Sequence, residues 1–199
     1  MSSPQPINTL EDVRGLLAEH PDFPCPGVLF QDIFPIFHHP AAVRIVVNEL
    51  VRQISEHFGQ VDAVIALDAR GFLFGPLVCQ QLDIPFIPVR KAGKLPGTVI
   101  ERSSTKEYGA DVLAIPAGAA AACTGAIATG RQPRAVVLDD LLATGGTAAA
   151  AVALTREAGF EVAGFAVMVL LTELWAPLAA GKITAAGLTE DQVLALFRI

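Results

Sequence analysis

The sequence predicts an α/β fold built on a doubly wound, mostly parallel twisted sheet flanked by helices. Four short segments, 61–67, 85–90, 135–138 and 162–171, are almost continuously hydrophobic and rich in Val and Ile, as strands covered on both faces are. Helical patterns at 72–82 and 147–158 fall between them, giving a strand–helix–strand alternation. Ligands of such sheets bind at the carboxyl ends of the strands, so the polar residues that follow each strand are the candidates for chemistry.

In chain order, Thr9 and Asp12 have the spacing of a capping box, and Leu10, Val13, Leu16 and Leu17 recur at helical intervals, which predicts a first helix near 9–19. Pro21, Pro24, Pro26 and Gly27 then break the chain into a loop containing Phe23 and Phe30. A second helix begins near Pro40. Its apolar face is Val43, Val46, Val47, Leu50, Val51, Ile54 and Phe58, it stops at Gly59, and it should cover a sheet. The Ala- and Gly-rich stretch 110–134 and the tail beyond residue 174 carry no clear periodic signal.

At 199 residues the chain is long enough for one well-cored domain and one site. The composition is 52% hydrophobic and the mean hydropathy is +0.50, which raises the question of a membrane span. The segment 162–171 is too short to cross, and the uncharged stretch 112–130 is mostly Ala, Gly and Thr and is broken by Pro116. The first residues show neither a basic region nor an apolar core of a leader, which favours a cytoplasmic location. Cys25, Cys79 and Cys123 are odd in number and widely spaced, suggesting neither a disulfide framework nor a zinc site. A net charge of −6 argues against a nucleic-acid partner, which needs a broad basic surface.

The densest signal is at 135–147, Ala-Val-Val-Leu-Asp-Asp-Leu-Leu-Ala-Thr-Gly-Gly-Thr: a buried strand, an acidic pair, a small-residue turn and a helix start. Gly145 and Gly146 let backbone approach a ligand closely, and the free N–H groups and positive end of the helix attract a phosphate. Thr144 and Thr147 add hydroxyl donors. The lysine of a Walker A loop is absent, and so is G-x-G-x-x-G. Asp139 and Asp140, set just before such a cradle, suit the vicinal hydroxyls of a sugar. A bare Asp-Asp and Gly-Gly pair also reads as an ordinary solvated turn, but the whole succession fits a phosphorylated ribose.

That succession resembles the phosphoribosyl pyrophosphate motif of the type I phosphoribosyltransferases. The resemblance implies one phosphoribosyltransferase domain over 1–199, with hood elements near 1–37 and a lid loop near 91–108. In it Ala143, Thr144, Gly145, Gly146 and Thr147 would hold the 5′-phosphate, and Asp139 and Asp140 the ribose hydroxyls. Four further stretches resemble the adenine-specific branch, in its order: 22–33 (DFPCPGVLFQDI), 67–76 (LDARGFLFGP), 90–97 (RKAGKLPG) and 107–109 (EYG).

The same resemblance assigns the remaining roles. Asp68, Ala69 and Arg70 form a second small-residue turn that would cradle pyrophosphate, through a non-proline cis peptide, with Arg70 also taking part in catalysis; for Arg70 a surface salt bridge is the alternative. Lys91 and Lys94, on a mobile loop around Gly93, would help neutralise pyrophosphate, one of them from the neighbouring subunit of a homodimer, or else form a solvated basic loop. Glu107 stands where the family has its catalytic glutamate, managing a proton on the purine imidazole ring, and Tyr108 would help close the lid. Phe30 and Leu141 would sandwich adenine while backbone at Leu29 reads its edge, although such residues are also ordinary core.

Implied overall is transfer of the 5-phosphoribosyl group from 5-phosphoribosyl 1-pyrophosphate to adenine, giving AMP and pyrophosphate, with Mg²⁺ carried in by the substrate. Gln31 and Ala92 depart from the family pattern, which has basic residues there. Another base specificity, a ligand-sensing regulator on the same fold and a catalytically dead paralogue are the alternatives. A regulator should carry a basic face or an added binding domain, and this acidic chain shows neither.

Overall fold

Thr9 starts the first helix as its spacing predicts: its hydroxyl accepts the Asp12 N–H at 3.1 Å, and the Asp12 carboxylate accepts the Thr9 N–H at 2.8 Å. This helix, α1 (Leu10–Arg14), is shorter than the expected 9–19. It is capped at Gly15, and residues at the end of the predicted helix join a strand, β1 (Ala18–Pro21), paired antiparallel with β2 (Leu29–Asp32). The physical reason is the hairpin partner: Glu19 lies opposite Gln31, whose side-chain amide donates to the Glu19 carboxylate at 3.1 Å. Such a tertiary pairing outweighs a weak local helical pattern. A short helix α2 (Phe34–Phe37) and the long α3 (Pro40–Phe58) follow. The computed structural model describes residues 6–106 and 109–199. It divides into two compact units, one ending at Glu49 and the other running from Leu50 to Ile199.

The larger unit holds a seven-stranded sheet in the order β5-β6-β4-β3-β7-β8-β9. Its elements are β3 (Ala63–Leu67), α4 (Gly75–Leu82), β4 (Phe86–Lys91), β5 (Val99–Lys106), β6 (Gly109–Pro116), α5 (Thr124–Ala128), β7 (Arg134–Leu142), α6 (Gly146–Glu157), β8 (Glu161–Leu170), α7 (Thr172–Leu174), α8 (Ala180–Ala185) and β9 (Val193–Arg198). Strands β4, β3, β7, β8 and β9 run parallel, and the β5–β6 hairpin adds antiparallel to β4.

Both faces of the parallel strands are covered, which explains their continuous hydrophobicity. Ile65 and Val137 share a core with Ala151, Val152 and Leu154 of α6. On the other face Gly75 of α4 sits so close to Ala66 and Phe86 that a Cβ there would fall 3.0 Å and 2.7 Å from them. Gly164 of β8 likewise makes room for the ring of Phe58. Among the described residues no helix is long and apolar enough to cross a membrane.

Two expectations change. The strand expected at 135–138 continues to Leu142, so the acidic pair lies within β7 and not after it. Much of the stretch expected as a lid loop is strand: Val99–Lys106 pairs along its length with β6. The Ala-rich stretch, whose packing the residue pattern left open, packs inward through Ala119, Cys123 and Ala126, all buried in the same core as β3 and β7.

Candidate active site

The carboxyl edge of the sheet gathers two turns. One follows β3, where the Asp68–Ala69 peptide bond is cis. The other follows β7 and leads into α6 through Gly145, whose φ of 77° is a conformation that favours glycine. A Cβ at Gly145 would meet the Ala179 backbone at 2.9 Å, so a side chain is excluded there on packing as well. Gly71 closes the gap between the turns: a Cβ on it would stand 2.9 Å from the Leu138 carbonyl oxygen and 3.3 Å from the Asp139 Cα. The two turns therefore wall a single cleft of about 320 Å³, lined by residues 68–70 and 139–148.

The cleft's charges are arranged for a polyol and an anion. Asp140 is buried and Asp139 half-buried, and the Asp140 N–H donates to the Asp139 carboxylate at 2.9 Å. Burial, then the neighbouring Asp140 charge, holds the Asp139 carboxyl well above the usual range. Burial also pushes Asp140 up, against the opposing pull of Arg70. The Arg70 Nε lies 2.9 Å from the Asp140 Oδ2, within ion-pair range. No N–H is aimed at that oxygen, however, which has no hydrogen-bond partner among the described residues. A buried acceptor in this state is suited to a hydroxyl donor from a ligand. At the far end, the first N–H groups of α6 and its positive dipole end face the turn 143–147, which suits a phosphate.

Of the residues singled out from the sequence, Asp68, Ala69, Arg70, Asp139, Asp140, Leu141, Ala143, Thr144, Gly145, Gly146 and Thr147 line this one cleft. Lys91 and Lys94 do not. Lys91 ends β4 and pairs with Asp111 of β6 at 3.1 Å, and Lys94 sits in the exposed turn that follows. Leu29 and Phe30 belong to the smaller unit, where Phe30 packs edge-to-face on Phe23 with ring centroids 5.1 Å apart. Gln31 is buried beside Glu19. Glu107 and Tyr108 lie outside the described residues.

Sequence reasoning passed over Arg90. Its Nε donates to the Asp68 carboxylate at 2.7 Å and its Nη1 to the Lys94 carbonyl at 3.0 Å, tying the turn after β3 to the loop after β4. Its place at the carboxyl end of a parallel strand was the available signal. Among the described residues no cluster of three or more His, Cys, Asp or Glu side chains is placed to hold a metal ion. The carboxylates meeting the cleft are Asp68, Asp139 and Asp140.

Comparison with known proteins agrees with this geometry. The phosphoribosyl transferase domain pattern matches residues 36–183. The adenine phosphoribosyltransferase of Caenorhabditis elegans is 46% identical over 172 residues, covering 82% of this chain and 86% of that protein. That of Gloeobacter violaceus is 42% identical over 163 residues, covering 82% and 89%. Among solved structures, the Giardia lamblia enzyme complexed with 9-deazaadenine superposes with a TM-score of 0.83 at 26% identity, over 97% of this chain and 99% of that one. The Saccharomyces cerevisiae adenine phosphoribosyltransferase, complexed with an imino-altritol bisphosphate and adenine, gives a TM-score of 0.78 at 30% identity, over 94% and 98%.

Proposed function

The chain belongs to the phosphoribosyl transferase family, in its adenine phosphoribosyltransferase branch, and from this we propose that its cleft joins adenine to 5-phosphoribosyl 1-pyrophosphate, giving AMP and pyrophosphate. The observation that carries the assignment is the meeting of two turns in one cleft: a phosphate cradle at the start of α6, and a second, Arg70-bearing turn held against it by Gly71. A sugar with a phosphate at one end and a pyrophosphate at the other spans such a site.

In this reading the 5′-phosphate is held by the backbone of 143–147 and the Thr144 and Thr147 hydroxyls. The vicinal ribose hydroxyls would donate to Asp139 and Asp140, adding a hydrogen bond at the Asp140 Oδ2 beside its ion pair with Arg70. Pyrophosphate lies on the Asp68–Ala69–Arg70 turn, where the guanidinium offsets its charge as the bond to the anomeric carbon lengthens through an oxocarbenium-like state. Leu141 would contact adenine from the larger unit, and the resemblance also gives Phe30 and the Leu29 backbone a part in binding the base. Lys91 is held by Asp111 in the structure, so its part in binding pyrophosphate requires it to exchange that partner. Glu107 would accept the proton that the purine ring sheds as it becomes nucleophile.

Mg²⁺ would be carried in by the substrate, with no protein side chain ligating it directly. Such an ion supplies charge neutralisation to the pyrophosphate. A cytoplasmic homodimer is the setting that the family resemblance gives this chemistry.

The test is steady-state AMP formation by the wild type and Glu107→Ala. Turnover with adenine that falls about 100-fold or more in the variant, with sugar binding little changed, is expected for loss of a proton-transfer group. An unchanged rate removes Glu107 from this role, and no adenine turnover in the wild type overturns the activity.

A further inference from the structure

A cavity of about 580 Å³, larger than the catalytic cleft, lies among β5, α6 and α8. Its floor is alanine, including Ala149 and Ala153 of α6 and Ala185 of α8. Its rim is charged. Arg102 of β5 forms an ion pair with Glu157, while Arg156 donates to the Gly187 carbonyl at 2.8 Å and to the Ala186 carbonyl, partners without formal charge. Lys182 completes the rim. Among the described residues that line the groove, three are cationic and one is a carboxylate, in a chain whose net charge is −6.

The volume is that of a ligand pocket, commonly about 300–1,000 Å³. An apolar floor suits a flat ring, and a cationic rim suits several phosphate charges. We propose that this groove is a second, non-catalytic site that binds a nucleoside polyphosphate, with the phosphates toward Arg102, Arg156 and Lys182 and the ring on the alanines.

Two features link the groove to the reaction. Gly146, the second glycine of the phosphate turn, lines both cavities. Arg102 stands on β5, the strand that leads to residue 107. A ligand bridging β5, α6 and α8 therefore changes turnover by holding the edge hairpin against the phosphate-turn helix, and the coupling is reciprocal. This effect on rate rests on the proposed reaction; the binding itself does not.

Calorimetric titration of ATP separates the two. The proteins compared are the wild type, a catalytic-cleft variant (Asp139→Asn with Thr147→Ala), and two groove variants, Lys182→Glu and Ala153→Glu, each checked for native circular dichroism. Ala153→Glu keeps a good helix former in place, so at least one groove variant should fold. ATP binding that survives in the cleft variant and weakens at least about tenfold in the groove variants is expected. Adenine turnover without ATP should be the same in the groove variants as in the wild type. Absence of ATP binding to the wild type, or binding lost in the cleft variant and unchanged in both groove variants, overturns the proposal.

Discussion

Asp139 shows how a site is kept ready at a cost to the empty protein. Its carboxyl is held above the ordinary value by burial and by Asp140. A carboxyl raised in the folded state contributes stability that is complete below its unfolded pKa of about 4, and that is lost as pH rises through the raised value. Asp139→Asn removes this loss. The variant should therefore melt above the wild type at neutral pH, by about 1.4 kcal/mol for each unit of the raised pKa, and converge with it near pH 4. Its affinity for the sugar phosphate should fall about 10- to 100-fold, because hydrogen bonds to a charged group contribute about 1.5–3 kcal/mol. Thermal melts across this pH range, with ribose 5-phosphate titrations, check both; equal melting curves at pH 7 contradict the electrostatic strain assigned to Asp139.

Gly71 acts by having no side chain. An added Cβ would come within 2.9 Å of the Leu138 carbonyl oxygen, so Gly71→Ala must push the Arg70 turn off β7. A destabilisation of about 1–3 kcal/mol is expected from such overpacking, with a loss of kcat/KM larger than the stability change alone explains. Urea unfolding together with initial rates tests this, and wild-type values of both would show that the turn tolerates the shift.

At the scale of elements, the parallel core was legible because β3, β7 and β8 are largely buried on both faces and their sequences lack alternation. The turn at 143–147 was legible because its small residues stand between an apolar strand and a helix start. The β5–β6 hairpin was not, since residues 99–106 are polar and edge-placed and their pairing is set by β6 and not by local pattern. β1 was hidden for the same reason, its register with β2 being set by partners 8 to 14 positions along the chain. Arg90 belongs to this scale, because it joins two loops that the sequence separates by 22 positions. Arg90→Met keeps the stem and removes both bonds. It should raise KM for the sugar pyrophosphate about tenfold or more with kcat less affected; a KM unchanged from the wild type would reduce Arg90 to a surface residue.

At the scale of the whole molecule, the cleft lined by residues 68–70 and 139–148 lies within the larger unit, whereas Leu29 and Phe30 belong to the smaller one. Family resemblance, carried by residues 22–33 and 135–147, is what assigns a base to the one and a phosphoribosyl group to the other. Hydrophobic patterning yields the parallel strands and residue type the small-residue turn, but neither names a base.

The choice of base is therefore the point at which the functional assignment is most exposed. The measurement is nucleotide formation from 5-phosphoribosyl 1-pyrophosphate and Mg²⁺ with adenine, hypoxanthine, guanine, xanthine and orotate supplied one at a time. Turnover with adenine alone, releasing one pyrophosphate per AMP, is the expected result. Turnover with an oxopurine or orotate in place of adenine, or sugar binding with no turnover on any base, would contradict it.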